Sequence, residues 1–73
     1  EQLSVREHMS IVLRALQGRK FVEFHELFDV SRGQPVLVVT FIAMLELARE
    51  MLLEITQAEA YAPIYVRLAY QAV

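Results

Sequence analysis

The stretch from Pro35 to Met51 constrains this chain more than any other. It carries β-branched residues at Val36, Val38, Val39, Thr40 and Ile42, which suit a strand. A strand of that length would lie far beyond the usual ~3–10 residues. Its second half, Ala43 to Glu50, is rich in strong helix formers. Pro35 falls in the first turn, where a missing N–H costs little. Ser31-Arg32-Gly33-Gln34 has capping-box spacing just before it. One long helix is expected, ending near Arg49 or Met51.

At ~100° per residue this helix shows two apolar stripes. One holds Leu37, Phe41, Met44, Leu45 and Ala48, and is expected to face the core. The other holds Val36, Val39, Ala43 and Leu47, bordered by Glu46 and Glu50. Ala43 and Leu47 lie mid-helix, where burial against another helix or a sheet competes with exposure. Val36 and Val39 lie in the first turns and are expected at an exposed rim, open to contact.

The rest of the chain supplies what packs around the helix. Ser4-Val5-Arg6-Glu7 is a capping box. Helical spacing follows, with Val5, Met9, Val12, Leu13 and Leu16 on one face. Arg6, Glu7, Ser10, Arg14 and Gln17 face away, and Gly18 is placed to end the helix. Phe21-Val22-Glu23 can add one rung to a sheet. His25 to Phe28 reads as one or two helical turns, and Asp29 to Gly33 as a turn. Leu52 to Gln57 reads as a strand with Leu53 and Ile55 inward. A hairpin loop, Ala58 to Pro63, precedes a second strand, Ile64 to Leu68. There Ile64, Val66 and Leu68 point in, while Tyr65 and Arg67 point out. Pro63 marks this as an edge strand. The tail from Ala69 to Val73 has no clear state. The expected class is α+β. The order is helix, short strand, short helix, long helix, strand, strand, as in a winged helix-turn-helix.

Bulk composition narrows the functions. The 73 residues allow one small domain, and 1–73 is expected to be a single unit. A domain this small buries only about 60% of its unfolded surface. Yet 56% of the residues are hydrophobic, an excess of roughly four to seven over an average domain. That excess suits a partner interface. There is no cysteine, so no disulfide framework and no Cys-based zinc site. No apolar run reaches the ~18–20 residues of a membrane span. No basic-then-apolar leader opens the chain, and Glu1 stands where a Met would. A segment of a longer cytosolic protein is expected.

Catalytic chemistry finds no footing. His8 and His25 lack metal-ligand spacing and are read as surface or capping residues. Ser4, Ser10 and Ser31 have no nucleophile-elbow context, and Gly18 and Gly33 make no phosphate loop. Neither an enzyme nor a cofactor or small-molecule substrate is expected. The net charge of −2 is a poor start for binding phosphates. The long helix carries a single basic residue, Arg49, where a DNA reader needs Arg, Lys, Asn or Gln.

Three segments together resemble a known family. They are Phe21-Val22-Glu23-Phe24-His25-Glu26-Leu27-Phe28, Val39 to Leu47 (Val-Thr-Phe-Ile-Ala-Met-Leu-Glu-Leu), and Glu54-Ile55-Thr56-Gln57. They look like the C-terminal domain of bacterial segregation and condensation protein A. The long-helix motif is the specific one. Ile42 and Met44 stand where the family has Leu, and Ala62-Pro63 where it tends to have Gly and a polar residue.

The resemblance implies a non-catalytic kleisin subunit. Its C-terminal winged helix would dock on the ATPase head of SMC in bacterial condensin. Protein B would bind other parts of the subunit, and DNA would be reached only through the complex. The setting would be cytoplasmic and nucleoid-associated. Two surfaces are candidates for partner binding. One is the rim of the long helix, at Gln34, Val36 and Val39. The other is the last strand, with Tyr65 and Arg67 outward, residue types favoured in interface hot spots. The alternative reading is a DNA-binding winged helix of a transcriptional regulator. A self-associating domain is a third.

Overall fold

The computed structural model describes residues 3–28 and 30–70. Helix α1 spans Val5–Leu16. The Ser4 hydroxyl accepts the Glu7 N–H at 3.2 Å, so the expected N-cap is in place. Val12 and Leu16 are fully buried, and Met9 and Leu13 pack beside them. Arg6, Glu7, Ser10, Arg14 and Gln17 are exposed, as their spacing predicted. Beyond the C-cap, Gln17, Gly18 takes a φ of 74°, a left-handed conformation that glycine adopts without a Cβ penalty.

Strand β1 is two residues, Val22–Glu23. A 3-10 turn follows at Phe24–Leu27, and another at Val30–Arg32. The short second α-helix expected near His25 to Phe28 is therefore a 3-10 turn, and the described chain has two α-helices rather than three. The segment is too short to repay the nucleation of an α-helix. Its backbone is stapled locally instead: the Glu26 carboxylate accepts the Glu23 N–H at 3.1 Å. Within the expected turn at Asp29 to Gly33, Asp29 lies outside the described residues.

Helix α2 spans Gln34–Arg49, with Pro35 in its first turn. Its N-cap is Gly33 at φ 88°, two residues beyond Ser31, the N-cap position in the expected capping box. Strand β2 is Leu53–Gln57 and β3 is Ile64–Leu68. The sheet is antiparallel in the order β1-β3-β2, with Val66 between Val22 and Ile55. So β3 is the central strand, contrary to the edge position that Pro63 suggested. The short β1 covers its first half through Val22↔Val66 and Glu23↔Tyr65. Pro63 precedes the strand, so its missing donor costs the ladder nothing. The tail beyond Tyr70 lies outside the described residues.

The core joins all these elements. Val12 and Leu16 of α1, Val22, Leu27, Met44 and Leu47 of α2, Leu53 and Val66 form one cluster. Helix α2 lies against both α1 and β2. It buries Val36, Val39, Thr40, Ala43, Met44 and Leu47. The stripe of Val36, Val39, Ala43 and Leu47 is thus the core face. Val36 and Val39 are only 5% and 6% exposed, against the expectation of an open rim. Phe41 and Leu45, expected in the core, are exposed instead. The fully buried Ala43, the smallest side chain in mid-helix, belongs to the side where neighbours can come close. A bulkier face cannot take that position without separating the helices.

Candidate functional site: an apolar face of the long helix

Four large apolar side chains stand exposed along α2: Val38, Phe41, Ile42 and Leu45, between 42% and 49% open. Their spacing of three, four and seven residues puts them on one face, opposite the buried arc. Helix α2 has sixteen residues, so the face runs along an axis of about 24 Å. The helix is apolar nearly all round, which fits a helix covered on more than one side.

The face is shaped at both ends. At its start, Gln34, Pro35, Val38 and Ile42 form a shallow apolar groove with Leu3 and Val5. Along its flank, the Phe41 ring meets Phe24 edge-on, with centroids 5.9 Å apart. Phe24 in turn lies 5.1 Å from Phe28. This aromatic chain ties the 3-10 turn to α2 and fixes Phe41 while leaving part of its ring open. At the far end Arg49 is engaged by Glu46. Its Nη2 donates to Glu46 Oε2 at 2.7 Å and its Nε to Oε1 at 3.2 Å. The hydrogen bond from Arg49 holds the Glu46 carboxyl below the usual carboxylate range, and the pair raises Arg49. The one basic residue of α2 is therefore satisfied within the protein.

The residues singled out from sequence are placed as follows. Gln34 is exposed at the head of the groove. Val36 and Val39 are buried; Val39 lines the floor of that same groove, and Val36 lies on the other side of α2, beside His8 and Ile11 of α1. Tyr65 and Arg67 lie elsewhere, on the outer face of the sheet. The Tyr65 ring is half-buried against Phe21, edge-on at 5.2 Å, and Tyr65 stands opposite Glu23 and Thr56. Arg67 donates from Nη2 to its cross-strand partner Glu54 at 2.6 Å. Phe21, Thr56, Tyr65 and Arg67 line a second shallow groove that shares no residue with the first. Sequence reasoning missed Val38, Phe41, Ile42 and Leu45 as a surface. The small Ala43 on the opposite face was the available signal.

His8 corrects another expectation. It is buried, not on the surface. Its Nδ1 lies 2.9 Å from the Ser4 carbonyl oxygen, so Nδ1–H donates there. Its buried Nε2 has no partner. His25 is exposed, with Nδ1 2.6 Å from Glu23 Oε2. Among the described residues no group of three or more His, Asp or Glu is placed to hold a metal. No helix among them is long and apolar enough to cross a membrane.

The geometry defines a small α+β body with an exposed apolar face on its long helix. Comparison with known proteins gives the family. The family model for segregation and condensation protein ScpA matches residues 1–69, and the chain belongs to that family. It is 46% identical over 67 residues to segregation and condensation protein A of Xylella fastidiosa (strain Temecula1), covering 92% of this chain and 22% of that protein. It is 45% identical over 67 residues to the protein of that name from Coxiella burnetii, covering 92% and 25%. For Listeria monocytogenes serotype 4a the figures are 41% over 69 residues, 92% and 27%. The chain thus spans about a quarter of the length of these curated relatives. Those relatives are named for segregation and condensation.

Proposed function

We propose that this chain is the winged-helix docking module of a non-catalytic kleisin subunit, and that it binds the ATPase head of SMC through the apolar face of α2. In this reading α2 is the third helix of the winged helix, the 3-10 turn at Phe24–Leu27 replaces the second, and the β2–β3 hairpin is the wing. The observation that carries the proposal is the exposed row Val38, Phe41, Ile42 and Leu45 in a chain of this family. Gln34 is the polar rim at its start. Val39 contributes from the floor of the groove, and Val36 from the buried side of α2. The module is part of a longer subunit whose other regions engage protein B. It works in the cytoplasm at the nucleoid, and DNA is reached through the complex.

The DNA-binding alternative draws no support. The face that would enter a groove offers Val38, Phe41, Ile42 and Leu45, and its one cation is already paired with Glu46. Calorimetry of this chain against an isolated SMC head tests the docking reading. Binding at micromolar concentration, lost in Phe41→Glu and kept in Tyr65→Glu, supports it. Loss in Tyr65→Glu alone moves the interface to the sheet groove of Tyr65 and Arg67. No heat at high micromolar concentration overturns the reading.

A further inference from the structure

We infer that the apolar face of α2 pairs with the same face of a second copy of this chain, as an antiparallel, two-fold dimer of the free protein. The inference stands apart from the docking reading, because it concerns the chain without a partner, and its failure leaves that reading where it is.

The spacing of the exposed residues is symmetric. Val38, Phe41, Ile42 and Leu45 are arranged evenly about one point, midway between Phe41 and Ile42. At ~1.5 Å of rise per residue, Val38 and Leu45 lie ~5 Å to either side of it. A two-fold axis through that point, perpendicular to α2, sets Val38 of each copy against Leu45 of the other. Phe41 then meets the second copy's Phe41 on one flank, and Ile42 meets Ile42 on the other. Spacings of three and four are those of a coiled-coil seam, which packs helices at a shallow angle. A two-fold contact needs a face complementary to itself, and this face has that symmetry.

Charge at the ends does not oppose the pairing. About the same axis, Gln34 of one copy comes level with Arg49 of the other. Gln34 is uncharged and Arg49 is neutralised by Glu46 at 2.7 Å, so no like charges are brought together. Area sets the strength. A face about 24 Å long and ~10 Å wide, with the relief of its side chains, gives up on the order of 400 Å² per chain. That is about half the ~800 Å² per partner of a standard interface. The dimer is therefore weak and reversible. It forms at high concentration, and its gain is the water released from four apolar side chains that are each 42% to 49% exposed in the single chain.

Sedimentation equilibrium of this chain alone, from about 10 μM to about 1 mM, tests the association. The weight-average mass is expected to rise from 8.4 kDa by a factor of at least ~1.3. Phe41→Glu and Leu45→Glu, both at exposed positions, are each expected to abolish the rise, and Tyr65→Glu on the sheet to leave it. A mass that stays constant up to the highest concentration overturns the inference. So does a rise that Tyr65→Glu abolishes and Phe41→Glu does not. Disulfide trapping reads the geometry, since the chain has no cysteine of its own. The two copies' positions 38 stand ~10 Å apart along the helix axis, beyond the ~7 Å between Cα atoms that a disulfide spans. An equal mixture of Val38→Cys and Leu45→Cys chains is therefore expected to link about fivefold faster than either chain alone. Val38→Cys linking to itself as fast as in the mixture makes the helices parallel and overturns the inference.

Discussion

The ring of Phe41 stands edge-on to that of Phe24, inclined by 77° at 5.9 Å, while 42% of Phe41 remains exposed. One side of the ring is fixed by the 3-10 turn, and the other is available. A partner that covers Phe41 therefore meets a side chain whose rotamer is already held, which lowers the entropy lost on binding.

Burial separates two substitutions on one helix. Val39→Glu places an unpaired carboxylate at a buried position, at a cost of ~3–5 kcal/mol. A domain of this size has little more stability than that to lose. Phe41→Glu removes only a half-exposed ring, at about 1 kcal/mol. Chemical denaturation is expected to find the Val39→Glu chain largely unfolded and the Phe41→Glu chain folded. Two folded chains of similar stability would contradict the burial described here.

At His8, the ring donates to a Ser4 carbonyl that also accepts the His8 backbone N–H at 3.1 Å. Removing the ring therefore leaves that oxygen bonded. It also removes a buried Nε2 without a partner, a group that costs about 1–3 kcal/mol. His8→Leu is expected to unfold at the same or higher denaturant concentration. A loss greater than ~1 kcal/mol would show that the imidazole makes a compensating bond.

The Ser4 cap is a single contact at 3.2 Å at the start of α1. Ser4→Ala is expected to cost about 1 kcal/mol, and Ser4→Asp to retain most of the stability. Urea titration at constant m-value checks both. Equal stability of all three chains would remove the cap from the account of α1.

The exposed Glu46–Arg49 pair makes a pH prediction of known sign. The folded Glu46 carboxyl titrates below its unfolded value because Arg49 hydrogen-bonds its charged form. Its contribution is present above the unfolded pKa and is lost as pH falls through the lowered folded value. The contribution is small, since solvent screens both groups. Carboxyl NMR titration is expected to show the Glu46 midpoint rising toward the ordinary carboxylate range in Arg49→Gln. An unmoved midpoint would mean the pair does not persist in solution.

Local patterns were legible where one principle acted alone. The apolar spacing of α1, the Ser4 cap and the inward alternation of Leu53, Ile55 and Val66 all read directly from the residues. The motifs around Phe21 to Phe28 and Val39 to Leu47 pointed to the family before any fold was known. The candidate face was not legible in this way. Helix α2 carries apolar residues on nearly every side, so its own pattern fits more than one core face. Glu46, Glu50 and Arg49 favour the wrong face, because they cluster opposite Phe41 and Met44 rather than opposite Ala43.

Sequence by itself determined that a long helix begins near Pro35 and runs to about Arg49, that the hairpin strands alternate, and that this chain is richer in apolar side chains than an average domain. These follow from propensity, periodicity and composition, which are properties of neighbouring residues. Only the tertiary structure decided which side of α2 is core, that Val36 and Val39 lie beneath the surface while Val38, Phe41, Ile42 and Leu45 form it, and that β3 is central. Those outcomes depend on close approach between elements distant in the chain: α1 and the sheet cover the side of α2 where Ala43 leaves room, and β1 pairs with β3. A one-dimensional pattern holds the hydrophobicity of each face, but not the volume available beside it.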